Sequence, residues 1–225
     1  MAKYVLFDTE TTGNQEQDRI IQVGAMIVHS KDEIEVFDEL CLAPVPISIE
    51  AMEVHNITPD LIADKGLYDE TDFALKVLEL NQKENYLIAH NISFDLAMLE
   101  KEGFQNNYTL MDTLRCAKHL LPESPYHRLQ YLRYALELYK TEGAEADKLG
   151  ITIKAHDAIG DVLVLKLFLS ELRKNVSKIF TEKSFEGFSR LVIDILTGKK
   201  ETSVQTVNKT LDGEEFDVLI KFSVE

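Results

Sequence analysis

Positive charge is what this chain has least of for its size. Its 225 residues carry 24 Lys and Arg against 39 Asp and Glu, a formal net charge of −15. Proteins that coat polyanions non-specifically show the opposite balance, so the composition argues against tight, general nucleic-acid binding and leaves room only for a weakly held substrate. Cysteine is scarce too. Cys41 and Cys116 lie among apolar residues without metal-ligand spacing and read as reduced core thiols. The first apolar run is far too short for a signal or membrane segment, and there is no repeat and no disorder signature; the chain is read as cytoplasmic. What is present is 45% apolar residues, over a length that suits one substantial α/β domain or a smaller one with an appendage.

The stretch that organises the rest is Tyr4-Val5-Leu6-Phe7-Asp8-Thr9-Glu10-Thr11-Thr12-Gly13. Apolar, β-favouring residues run into two carboxylates at alternate positions, and residues two apart on a strand share a face. Asp8 and Glu10 therefore point together. Their Cα atoms lie roughly 6.6 Å apart on an extended chain, which lets both side chains converge on one hard divalent cation. The plainer reading is a strand running out into an acidic turn. Position favours the metal, because carboxylates directly after a buried strand need a partner.

In chain order, residues 3–8 read as a first strand, Arg19–His29 as a second and Ile34–Leu42 as a third, a meander closed by Pro44 and Pro46. Ser48 caps a short helix at 49–53, and Thr58-Pro59 opens another at 60–63. A helix spans 71–80. A buried strand, 86–89, leads to a helix at 94–102 with Ser93 as its cap and Gly103 as its stop. A fifth strand, 108–111, precedes helices at 113–121 and 127–138. A polar loop through Gly143 and Gly150 follows, and 157–174 reads as a central helix apolar almost all round. This order implies an α/β fold with a mixed five-stranded sheet flanked by helices.

Two further acidic positions stand at element ends. Asp95 sits in the first turn of its helix, where it could simply complement the helix dipole. In His156-Asp157-Ala158-Ile159-Gly160-Asp161, Asp157 could be an N-cap and His156 a loop residue, whereas Asp161 lies inside a greasy helix and should meet positive charge. Four converging carboxylates would hold two Mg²⁺ ions roughly 3.5–4 Å apart, an arrangement suited to phosphoryl hydrolysis. His156 nearby would supply a proton acceptor for water.

FDTETTG at 7–13, HNISFD at 90–95 and HDAIGD at 156–161 together resemble the three exonuclease motifs of the DnaQ-like 3′–5′ exonuclease superfamily, in its DEDDh branch. The resemblance covers residues 3–175. PISIEAMEVHNITPDLI at 46–62 is similar to the connector of the superfamily, and with YHRLQYL at 126–132 it resembles the exonuclease X branch. The resemblance implies an RNase H-like fold, with Asp8, Glu10, Asp95 and Asp161 as ligands of two Mg²⁺ ions (Mn²⁺ as the alternative) and His156 as general base. It also selects Asp161 over Asp157, which spacing alone leaves open. It further implies that Thr11, Thr12 and Gly13 lie beside the 3′-terminal nucleotide and that Asn91 and Phe94 line the substrate groove. Phe94 reads equally as a stacking surface or as a core aromatic. Relatives carry a bulky apolar wedge after the glycine, where this chain has Asn14. His55 and Asn56 either brace the connector or touch the nucleotide, and His90 reads as structural.

The implied activity is metal-dependent release of nucleoside 5′-monophosphates from DNA 3′ ends, single-stranded or frayed, in repair or proofreading. The alternatives are an exoribonuclease of the same branch and a non-catalytic nucleic-acid-processing scaffold subunit, the latter disfavoured by the presence of all four carboxylates and His156. Residues 176–225 match none of the motifs. Phe180, Phe185, Phe188, Leu191, Val192, Ile195 and Leu196 form an amphipathic helical pattern, with two strand patterns after it. That segment is read as a folded α/β appendage, a cap on the nuclease domain or a contact for a protein partner or second copy.

Overall fold

The computed structural model describes residues 2–30, 33–153 and 157–181, with His119 and residues 173–181 as backbone only. His156 and the expected appendage from residue 182 onward lie outside the described residues. Five strands form one mixed sheet: β1 (Tyr4–Thr11), β2 (Ile20–Val28), β3 (Ile34–Leu40), β4 (Tyr86–Ala89) and β5 (Thr109–Asp112), in the order β3-β2-β1-β4-β5. The β1–β2 and β2–β3 pairs are antiparallel, while β1–β4 and β4–β5 are parallel.

Strand β1 is central and covered on both faces, which is why its sequence starts as an unbroken apolar run. Tyr4 and Leu6 join Met26, Ile88 and Met111 on one face, under α5 (Thr113–Leu120), α6 (Leu129–Ala135), α7 (Tyr139–Leu149) and α8 (Ala158–Thr181). Val5 and Phe7 join Val23, Ile27 and Leu87 on the other, under α3 (Asp72–Glu79) and α4 (Ile92–Lys101). The connector between β3 and α3 holds α1 (Ile49–His55) and α2 (Pro59–Ile62). Ser48 caps α1 by accepting from the Ala51 amide at 3.1 Å, and Pro59 opens α2 at a position where its missing N–H costs nothing.

Four expectations are corrected. Strand β1 runs on to Thr11, so the acidic pair lies within the ladder, ahead of a bulge between Glu10 and Thr11. Helix α4 starts earlier, capped by Asn91 in the left-handed region (φ 75°), and Ser93 is its second residue. The loop expected through Gly143 is helix α7, ended by Gly150 at φ 68°. A single mid-helix glycine costs about 1 kcal/mol relative to alanine, and the Arg133 pairing of Glu142 with the burial of Ala146 offsets that. Helix α6 is shorter than 127–138, because Glu137 at φ 56° breaks it from α7. The apolar helix α8 is buried along its first two turns, Ala158 to Leu165 apart from the half-buried Asp161, and at Phe168 and Leu172, with Ser170 exposed, and its backbone continues past residue 175 to Thr181.

Candidate active site

Register sets the site. Side chains alternate along β1, so Tyr4 and Leu6 on the α8 face are followed by Asp8 and Glu10 on that same face. Asp8 pairs across with Gly24, and Glu10 with Gln22. A Cβ on Gly24 would stand 2.2 Å from both the Ala158 carbonyl carbon and the Ile159 nitrogen. The start of α8 thus rests directly on the β2 backbone, beside Asp8. One pair along, Gln22 Nε2 donates to Asp157 Oδ1 at 2.7 Å and its Oε1 accepts from the Ala158 amide at 3.4 Å. Gln22 and Gly24 together fix where α8 begins, and Asp161 follows one turn later.

Asp95 arrives from the opposite face. It lies in the first turn of α4, after the carboxyl end of β4, and is 3% exposed. Its Oδ1 accepts from the Thr9 amide at 3.1 Å and the Thr9 hydroxyl at 2.8 Å. The carboxyl ends of β1 and β4, where the strand order turns outward in both directions, thereby collect Asp8, Glu10, Asp95 and Asp161. Crevices at such switch points are the usual ligand sites of α/β sheets. Asp161 is half-buried, and its Oδ1 accepts from Gln130 Nε2 of α6.

Burial and neighbouring carboxylates act on three of these groups. Burial, followed by the charges of Asp95, Asp161 and Glu10, pushes the Asp8 carboxyl well above its ordinary range. Burial, then Asp161, Asp95 and Asp157, pushes Glu10 up to about 8. Burial pushes Asp95 up to about 7 against the opposing hydrogen bonds from Thr9. Among the described residues no Lys or Arg forms an ion pair with Asp8, Glu10 or Asp95. Among the described residues no group of three or more His, Cys, Asp or Glu side chains is placed so that it could hold a metal ion; Asp95 is bonded to Thr9 and Asp161 to Gln130. Carboxylate oxygens are nonetheless the donor type that a hard divalent cation such as Mg²⁺ takes. Asp157 differs from Asp161: it is buried and held by Gln22, and its Oδ2 finds no hydrogen-bond partner among the described residues.

The other expected residues divide by what their side chains already do. Thr11 and Thr12 are buried and spent within the turn, Thr11 Oγ1 donating to the Gly13 carbonyl at 2.7 Å and Thr12 Oγ1 to Asp18 Oδ1 at 2.8 Å. A Cβ on Gly13 would meet Asp18 Oδ2 at 2.5 Å. What this turn can offer a ligand is therefore backbone. His55 braces the connector: Nδ1 accepts from the Ile57 amide at 2.9 Å, leaving Nε2 to donate to the Thr11 carbonyl at 3.2 Å. Asn56 ends α1 at φ 59°. His90 is structural, with Nε2 2.7 Å from the His127 carbonyl and Nδ1 2.9 Å from Thr113 Oγ1. Asn91 is exposed beside the cluster, and Phe94 is half-buried against the α3–α4 core, so part of its ring is core. Asn14 is exposed. Sequence reading missed Gln22, Gly24, Asp18 and Gln130. A glycine and a glutamine inside a buried strand were the available signal for the first two, since such a glycine marks a close backbone approach.

Residues 5–168 match the exonuclease family (RNase T). The chain belongs to that family. Within it, the chain is similar to DNA polymerase III subunit epsilon of Treponema pallidum, 31% identical over 69% of this chain and 78% of that one. It is also similar to a PolC-type DNA polymerase III of Bacillus cereus, 30% identical over 84% of this chain but 12% of the polymerase, so it spans about an eighth of that relative. Solved structures share the fold. Exonuclease X in complex with 5′-overhanging duplex DNA superposes with a TM-score of 0.55 at 21% identity, covering 76% of this chain and 91% of that one. Exonuclease I of E. coli in complex with single-stranded DNA gives 0.57 at 22%, covering 80% and 43%. The DnaQ-like resemblance and the RNase H-like sheet are thereby borne out. Among the described residues no helix is long and apolar enough to cross a membrane.

Proposed function

We propose that this family member is a metal-dependent 3′–5′ exonuclease that hydrolyses DNA and releases nucleoside 5′-monophosphates. The observation that carries the reading is the gathering of Asp8, Glu10, Asp95 and Asp161 at the carboxyl ends of β1 and β4, where burial and neighbouring carboxylates push Asp8 and Glu10 up and burial pushes Asp95 up, without a described ion pair to Asp8, Glu10 or Asp95. Those four residues would hold two Mg²⁺ ions, with Mn²⁺ as the alternative. Bound there, the ions supply charge neutralisation at the attacking and leaving oxygens of the phosphodiester. His156 precedes the α8 motif and takes the proton from the attacking water, a role worth typically 10²–10⁴-fold. Gln22 and Gly24 keep Asp161 in position by seating α8, and His55 with Ser48 holds the Thr11–Gly13 turn, whose carbonyls at Thr11 and Thr12 they bond. The backbone of that turn, with Asn91 and Phe94, is where the terminal nucleotide rests.

DNA as substrate draws on the relatives, which are DNA polymerase III chains, and on exonuclease X with its duplex DNA. The same kinship supports a protein partner, with residues 176–225 as its contact. The reading is tested with DNA and RNA oligomers labelled at the 5′ end, incubated with Mg²⁺ or with chelator. A ladder of DNA shortening from the 3′ end, Mg²⁺-dependent and yielding mononucleotides, is expected. RNA degraded in preference to DNA overturns the substrate, and no Mg²⁺-dependent product from either overturns the enzyme.

A further inference from the structure

Acidic as the chain is, one stretch runs the other way: residues 113–140 carry five Lys or Arg (Arg115, Lys118, Arg128, Arg133, Lys140) against two acids, Glu123 and Glu137. The same stretch holds every exposed aromatic among the described residues, Tyr126, Tyr134 and Tyr139, at 56%, 60% and 43% exposure. The aromatics and cations are interleaved. The Arg128 guanidinium lies 5.4 Å from the Tyr126 ring centre, and that of Arg133 5.1 Å from the Tyr134 ring. Tyr126 meets Tyr131 edge-on at 5.2 Å, and Tyr134 meets Tyr139 at 5.7 Å. This array adjoins the acidic cluster through two bonds, His90 Nε2 to the His127 carbonyl and Gln130 Nε2 to Asp161 Oδ1.

We propose that the Tyr126–Lys140 face, around α6 and the start of α7, is the track that holds the single-stranded DNA leading away from the scissile 3′ nucleotide. The inference rests on the exonuclease reading and deepens it. A strand whose 3′ end sits at the carboxylates has to cross adjoining surface, and on a chain of net charge −15 this basic face is complementary to a polyanion. Exposed tyrosine rings are platforms on which any base can stack, and neighbouring Arg side chains add charge and a planar face. Arg133 contributes mainly by fixing Tyr134, because its guanidinium is already engaged by Glu142. Lys140 is paired with Glu137 at 2.6 Å, so Arg128 is the cation placed to meet a phosphate.

The test is fluorescence anisotropy of a labelled oligothymidylate of about 12 nucleotides with the full chain in chelator, where nothing is hydrolysed. Tyr126→Ala combined with Arg128→Ala should weaken binding about tenfold or more, stacking on one ring being worth that much. Arg128→Ala alone should flatten the dependence of log affinity on log salt by roughly one contact's worth. Tyr126→Phe keeps the ring and should bind as the parent does. The loss should shrink on oligomers of about 3 nucleotides, too short to reach the track. Parent that binds and degrades DNA while the double variant binds equally well overturns the track alone, as does a Tyr126→Phe variant as weak as Tyr126→Ala. An unchanged DNA affinity together with loss of a protein complex shows a protein-docking face and overturns it too. A parent that neither binds nor degrades any oligomer overturns the exonuclease reading beneath it.

Discussion

Two buried carboxylates, Glu142 and Asp95, are 8% and 3% exposed, yet they live in opposite circumstances. Glu142 on α7 is gripped by Arg133 of α6, Nε to Oε2 at 2.6 Å and Nη2 to Oε1, and the carboxylate in turn raises the Arg133 pKa. Asp95 has only neutral donors from Thr9, and it shares its corner with Asp8, Glu10 and Asp161. A structural carboxylate brings its own cation within the fold. Buried carboxylates crowded together without such a partner cost folding free energy, and under the proposed function a cation supplied from outside would offset it.

Substitutions that remove charge should therefore have opposite signs in the two places. The largest effect is on turnover: Asp8→Asn should lower Mg²⁺-dependent hydrolysis by about 10³-fold or more, since losing a ligand forfeits several kcal/mol of transition-state stabilisation. The metal-free protein should nonetheless become more stable. Arg133→Ala, by contrast, strands Glu142 and should cost about 3 kcal/mol, which lowers Tm by roughly 6–12 °C in a chain of this size. Thermal melts in chelator compare the two directly. Gly24→Ala comes next. Its Cβ would collide with Ala158 and Ile159 at 2.2 Å, and a destabilisation of about 1–3 kcal/mol is expected. Displacing α8 by about 1 Å should also cost on the order of 10²-fold in rate, so a variant with full kcat would break the claim that β2 positions Asp161.

The smallest effect is on pH dependence. Glu10 is raised to about 8 and Asp95 to about 7, both above their unfolded values near 4. The folded state thus holds these protons more tightly, and the stability they contribute is complete below about pH 4 and lost as pH rises through 7 to 8. In chelator, the Tm of Glu10→Gln relative to the parent should climb across that window by a few degrees. A difference that stays flat from pH 5 to pH 8 would mean that Glu10 is solvated rather than strained.

The parts of this site that were legible in sequence are those whose signal is local. Asp8 and Glu10 stand out because they follow an apolar run on one strand face, whereas Asp95 competes with a helix-dipole reading and Asp161 with Asp157, and it is the motif resemblance that selects both. What was not legible depends on register between distant segments. Gln22 and Gly24 look like ordinary strand residues until Glu10 and Asp8 are found opposite them. Gln130, on another helix, reaches Asp161 only through the packing of α6 on α8. Helix α7 was hidden by Gly143, a breaker in sequence that the Arg133–Glu142 pair and the burial of Ala146 override. Thr11 and Thr12 were assigned by motif to the nucleotide, but motif does not show that their hydroxyls are consumed by Gly13 and Asp18.

The most direct measurement is the melting temperature of the parent and of Asp8→Asn at pH 8, in chelator and in saturating Mg²⁺. The parent should gain about 5–10 °C from Mg²⁺ at about a hundredfold excess over its dissociation constant, whereas Asp8→Asn should start higher in chelator and gain little. An Asp8→Asn protein that melts below the parent in chelator, as Arg133→Ala should, would show that Asp8 is an internally satisfied structural carboxylate and would contradict the account.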